Sequence, residues 1–158
     1  MDSIIRQSAR LACDARSAFR MFTDNSLLQT WLAPLAEVEP VAGGKYELFW
    51  EPDERENNST IGCRVTAIVP DELLSFEWKG PQQFKSFMNE ADPLTHVVVL
   101  FVPSANEAQD FTDVHLVHTG WRRAPDWEEA RQWFEKSWAI AFEGLKRQAS
   151  SRQLSMSV

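Results

Sequence analysis

Cysteine is nearly absent from this chain: Cys13 and Cys63 stand singly and far apart in 158 residues. No metal-ligand spacing joins them, and both read as buried thiols in a reducing compartment. Positive charge is short as well. Lys and Arg number 16 against 23 Asp and Glu, a formal net charge of −7. Such a balance argues against nucleic acid or an anionic membrane as partner. Long apolar runs are also missing. None could span a bilayer, and the opening stretch MDSIIRQSARLACDAR holds no signal-peptide core. The expected location is the cytoplasm, where the Asn57 and Asn58 sequons mark no more than an exposed loop. Enzymatic signatures are scarce. There is no Gly-rich phosphate loop, nucleophile elbow, Rossmann fingerprint or metal-ligand pair at i, i+4, so neither cofactor nor metal is expected. Gly43-Gly44 precedes a strand pattern and reads as a tight turn.

Aromatic residues are abundant instead: seven Trp and ten Phe beside a single Tyr. Rings in that number fill a core or line an apolar cavity. The length suits one domain with a sizeable core. The most organised stretch is 126–147, DWEEARQWFEKSWAIAFEGLKR. Asp126 with Glu129 has the spacing of a capping box, acidic residues crowd the first turn, and Lys146 and Arg147 close the last. Trp127, Ala130, Phe134, Trp138, Ala141 and Leu145 recur at helical spacing, while Trp133, Ile140 and Phe142 widen the apolar surface. A helix this aromatic needs a broad surface to lie on.

The rest of the chain supplies a sheet. Residues 3–13 alternate as a half-buried strand, with Ile5, Gln7, Ala9 and Leu11 on one side. Asp14 caps a short helix carrying Ala15, Ala18, Phe19 and Phe22, and residues 23–26 break it before a second with Leu28, Trp31 and Leu32, ended by Pro34. Strands are expected at 36–41, 45–50, 61–69, 73–78, 95–103 and 111–120. Residues 79–94 form a long link whose Phe84, Phe87 and Met88 suit a lid, a satellite core or a dimer contact equally. The polar residues 148–158 are expected as a disordered tail after a single domain, 1–147. Short links between consecutive strands, with helices to one side, predict an α+β fold: a curved antiparallel sheet of about six to seven strands around the long C-terminal helix.

Several stretches carry a family likeness: AFRMFTDNSLLQTWLAP (18–34), GGKYELFW (43–50), VPDELLSFEWKGP (69–81), LTHVVVLF (94–101), TDVHLVHTGW (112–121) and the helix around Ser137-Trp138. In order and spacing over residues 3–147 they resemble the AHSA1-like (activator of Hsp90 ATPase homologue 1-like) branch of the START/Bet v 1-like (SRPBCC) superfamily. The resemblance implies a helix-grip fold with an internal cavity between sheet and helix. It implies little about activity, since the superfamily includes lipid carriers, polyketide cyclases, hydrolase-like resistance proteins and co-chaperone domains. It also leaves room for a homodimer and for contact with a chaperone.

Within that framework the candidate ligand-binding residues are the apolar faces turned toward the helix. They are Tyr46, Leu48 and Trp50 on one strand, Phe76 and Trp78 on another, and Val114, Leu116 and His118 on the last. Phe134 and Trp138 join them from the helix, and Trp31 from the short helix near the mouth. His115 and His118 fall on opposite faces and cannot share a metal. His118 suits either a hydrogen-bonded structural role or a polar handle in the cavity. The leading expectation is a protein that binds a small hydrophobic or aromatic molecule. The alternative is a cyclase- or hydrolase-like enzyme using the same pocket with His118 and Tyr46. An Hsp90-type co-chaperone domain comes last.

Overall fold

The computed structural model describes residues 4–105 and 109–156. The chain runs β1 (Ile5–Leu11), α1 (Ala15–Thr23), α2 (Asn25–Trp31), β2 (Leu35–Val38), β3 (Tyr46–Phe49), β4 (Val65–Val69) and β5 (Leu73–Trp78). It continues through α3 (Lys85–Met88), β6 (Thr95–Ala105), β7 (Asp110–Thr119) and α4 (Pro125–Met156). This is the α+β arrangement predicted. β1-β7-β6-β5-β4 form a five-stranded sheet and β2-β3 a two-stranded one, every pair antiparallel. The two sheets adjoin: Tyr46 N–H donates to the Cys63 carbonyl at 2.8 Å and Thr60 N–H to Leu48 at 2.9 Å. Alternation sets the faces. In β1 Ile5, Ala9 and Leu11 are buried while Arg6, Ser8 and Arg10 are exposed.

Local chemistry explains the boundaries. Asp14 Oδ1 accepts from Ser17 N–H at 2.8 Å, the N-cap of α1. Asp24 ends α1 and caps α2, accepting from the N–H groups of Ser26 and Leu27. β4 starts at Val65 rather than residue 61 because Gly62, at φ +87°, turns the chain and Cys63 N–H closes on Thr60 O. At the Gly43-Gly44 turn, Gly43 has φ +81° and a Cβ on Gly44 would strike the Glu39 carbonyl. Inside the 79–94 link the single helical turn α3 forms, which its length hid from periodicity.

Three expectations about α4 need correction. The helix begins at Pro125, where proline's missing N–H costs nothing, and Glu128 N–H already bonds to Ala124 O. Asp126 therefore lies within the first turn, its carboxylate accepting from Trp127 N–H, and is not the cap of a capping box. The buried face runs through Trp127, Ala130, Phe134, Trp138, Phe142, Leu145 and Ala149, so Phe142 rather than Ala141 lies at its centre. That stripe ends at Ala149, and the helix backbone runs on to Met156, through residues expected as a disordered tail, of which 157 and 158 lie outside the described residues.

The core sits between the inner sheet face and α4, closed at one end by α1 and α2. Phe22 is its hub there, with ring centroids 4.9 Å from Trp31, 5.4 Å from Phe101 and 6.4 Å from Phe142. Both cysteines are free thiols. Burial raises Cys63 to about 12 and Cys13 to about 11, which keeps both thiols protonated at neutral pH.

Candidate functional site

Six of the expected ligand-binding residues, Tyr46, Leu48, Phe76, Val114, Leu116 and His118, are buried in the core. The Tyr46 ring stacks on Phe76 at 3.8 Å, and its hydroxyl donates to the Phe22 carbonyl at 2.7 Å. Burial pushes that phenol far above its ordinary pKa. His118 is held on every side. Trp138 Nε1–H donates to its Nδ1 at 3.1 Å, which makes Nδ1 an acceptor and places the proton on Nε2. Nε2 lies 3.0 Å from Thr95 Oγ1, and that hydroxyl in turn donates to the Trp78 carbonyl. Burial first, and the nearby His96 second, lower the imidazole to about 3. His118 is thus neutral, in one tautomer, with both ring nitrogens engaged.

The other five, Trp31, Trp50, Trp78, Phe134 and Trp138, converge on an open cleft of about 530 Å³. It lies at the margin of the core rather than within it. α2 gives Trp31 and Leu32; the end of β3 leads to Trp50 and Glu51; β5 ends in Trp78 and Lys79. α4 supplies a second face beside its buried one, with Trp133, Ser137, Ile140 and Ala141 joining Phe134 and Trp138. Trp133 and Ile140, which widen the apolar surface of the helix in the sequence, face this cleft. Their spacing with Ser137 and Ala141 was the available sign of a second stripe. Ile140 is 73% exposed and Trp133 39%.

The 79–94 link is one wall of this cleft and a satellite of the core. Asn89 clasps Gly80 from both sides, its Oδ1 accepting from Gly80 N–H at 2.7 Å and its Nδ2 facing Gly80 O. Phe84 packs edge-on to Trp133 at 5.7 Å and Phe87 to Trp127 at 5.2 Å, while Met88 is fully buried. The loop after β3 joins the same wall: Asn58 Oδ1 accepts from Gln82 N–H at 2.8 Å, and Lys85 Nζ donates to Asn57 Oδ1 at 2.9 Å.

Polar groups around the cleft are mostly occupied. Lys79 Nζ donates to Ile61 O, and Ser137 Oγ to Trp133 O. Trp31 Nε1 donates to Met21 O at 2.9 Å and Trp50 Nε1 to Leu32 O at 3.0 Å. Trp78 is different: it is 3% exposed, and its Nε1 has no hydrogen-bond partner among the described residues. Its ring meets Trp138 at 5.1 Å and Trp50 at 6.0 Å. Among the described residues no group of three or more His, Cys, Asp or Glu is placed to hold a metal, and no helix is long and apolar enough to cross a membrane. The cleft is suited to enclosing an apolar, ring-bearing molecule.

Comparison with solved structures places this geometry. The protein MLL2253 of Mesorhizobium loti superimposes with a TM-score of 0.72 at 17% identity, over 94% of this chain and 97% of that one. The Aha1 dimer of Colwellia psychrerythraea matches at 0.64 and 16%, over 90% and 92% of the two chains. PFC0360w of Plasmodium falciparum, described as an HSP90 activator, matches at 0.56 and 19%, over 85% and 89%. At these identities the likeness is one of fold. No curated protein matches the sequence. The model of the family described as activator of Hsp90 ATPase homolog 1-like protein matches residues 12–149. With that match over most of its length, the chain belongs to the AHSA1-like family.

Proposed function

We propose that this protein binds a small, largely apolar aromatic molecule in the cleft between α4, the end of β5 and the loop after β3. The observation that carries the reading is the convergence of Trp31, Trp50, Trp78, Phe134 and Trp138 on one open space of about 530 Å³. A volume of that size lies within the roughly 300–1,000 Å³ typical of small-molecule sites. The two polar groups of the enzyme alternative, His118 and Tyr46, do not serve this space. They lie outside the cleft lining, and both are committed to hydrogen bonds in the core. Binding, rather than chemistry by that pair, is the function the geometry supports.

Native mass spectrometry of gently purified protein, beside a denatured sample, tests it. A reproducible added mass that disappears on denaturation is the expected result, followed by tryptophan fluorescence quenching that saturates with the identified compound. Absence of both an added mass and any saturable quenching by small aromatic compounds would sink the proposal. The same spectrum reads oligomeric state, and so shows whether this chain pairs as the Colwellia protein does.

A further inference from the structure

The outward side of α4 carries a pattern that a small molecule in the cleft does not account for. Ile140 stands at the cleft rim and is 73% exposed, the highest of any large apolar side chain among the described residues. Trp133, 39% exposed, lies two turns before it on the same line of the helix. Glu129, Lys136, Glu143 and Arg147 stand around them, all exposed. Lys136 and Arg147 take part in no ion pair among the described residues, and Glu143 pairs only within its own helix, with Lys146. Two small residues, Ser137 and Gly144, flank the line on the cleft side. An apolar line with unspent charge on one side and small residues on the other is a surface that one helix can offer to another.

We propose that this face holds a second copy of the chain, the two α4 helices running antiparallel about a two-fold axis at Ile140. Charge and shape complementarity carry the assignment. With Ile140 on the axis, residues equally far before and after it face each other across the pair. Ile140 then meets the partner's Ile140, and Trp133 meets the partner's Arg147, a guanidinium over an indole. Lys136 lies beside the partner's Glu143, twice by symmetry, and Ser137 lies beside the partner's Gly144, where the backbones can approach closely. A parallel pair would instead set Lys136 on the partner's Lys136 and Arg147 on the partner's Arg147. One helix pair buries less than the roughly 800 Å² per partner of a stable complex, so this dimer is weak and separates on dilution. The pairing needs no ligand in the cleft.

Sedimentation velocity over a concentration series tests it, with charge reversals at two exposed positions outside the cleft lining. The wild type is expected to pass from monomer to dimer as concentration rises. Lys136→Glu and Glu143→Lys each set like charges together twice across the axis, and each should weaken dimerisation about tenfold. The double variant reverses both signs and should recover the wild-type constant to within about threefold. Within one chain the two positions lie two turns apart and do not touch, so such a rescue reports the contact between copies. Ile140→Cys reads the axis directly. On mild oxidation it should cross-link to its own copy, since facing Cα atoms of packed helices fall within disulfide reach. Val41→Cys, 58% exposed in the turn before β3, should not. A wild type that stays monomeric throughout overturns the proposal. So does a dimer that neither reversal weakens, or one that the double variant fails to restore. The cleft reading is untouched by either result, because its own test is the added mass.

Discussion

His118 is fully buried, accepts from Trp138 Nε1 and faces Thr95 Oγ1, and this changes how the whole protein responds to acid. Its folded pKa is lowered to about 3 from an ordinary 6.5, chiefly by burial. Between those values the unfolded chain binds a proton that the folded one refuses. The contribution is therefore complete above pH 6.5 and is lost progressively as pH falls toward 3. His96 is shifted in the same direction by burial, so a variant is needed to separate the two. Urea unfolding of the wild type should show stability dropping between pH 7 and 5, with a shallower slope in His118→Gln. Equal slopes would show that His118 is not the source. His118→Ala should also cost about 1–3 kcal/mol at pH 7 for each stranded polar group, since the Trp138 indole and the Thr95 hydroxyl lose their partner.

α4 turns one apolar face to the core and another to the cleft, and substitutions on them should behave differently. Phe142, 1% exposed, belongs to the ring cluster with Phe22, Trp31 and Trp138. Phe142→Ala is expected to cost about 3–5 kcal/mol, read as a fall in the thermal unfolding midpoint. Ile140, 73% exposed on the cleft face, should change stability by no more than about 0.5 kcal/mol when replaced by Asp. Yet Ile140→Asp should weaken an aromatic ligand roughly tenfold in fluorescence titration, by placing a charge on an apolar wall. Equal losses of stability in the two variants would mean the faces have been misassigned. These elements also show what was readable beforehand. Periodicity placed β1, β5, β7 and most of α4, because each has a long alternating or helical apolar pattern. It also put Leu48 and Trp50 on one strand face, but a face is not a depth: Leu48 is in the core and Trp50 is 37% exposed at the cleft. The same limit separated His118 from Trp138, which share a hydrogen bond while only one lines the cleft. Past Arg147 the only apolar residue that continues the stripe as far as burial is described is Ala149, too small beside polar neighbours to stand out in the sequence.

At the scale of the molecule, the cleft draws its walls from α2, the loop after β3, the end of β5 and α4. A ligand there bridges segments far apart in sequence, so it should stabilise the cooperative unit rather than one loop. A ligand that binds only the folded state at one hundred times its Kd adds about 2.7 kcal/mol. For a domain of this size each kcal/mol raises Tm by about 2–4 °C, giving an expected shift of about 5–11 °C. Hydrogen exchange locates the effect. Local protection should rise first in residues 50–59, 78–83 and 133–141, where the loops are joined by Asn57 and Asn58 to Lys85 and Gln82. The β1–β7 edge, paired from Ile5 with His118 to Leu11 with Thr112 and lined by no cleft residue, should change only through global unfolding. Protection appearing at that edge, with the three cleft segments unchanged, would place the ligand elsewhere on the molecule.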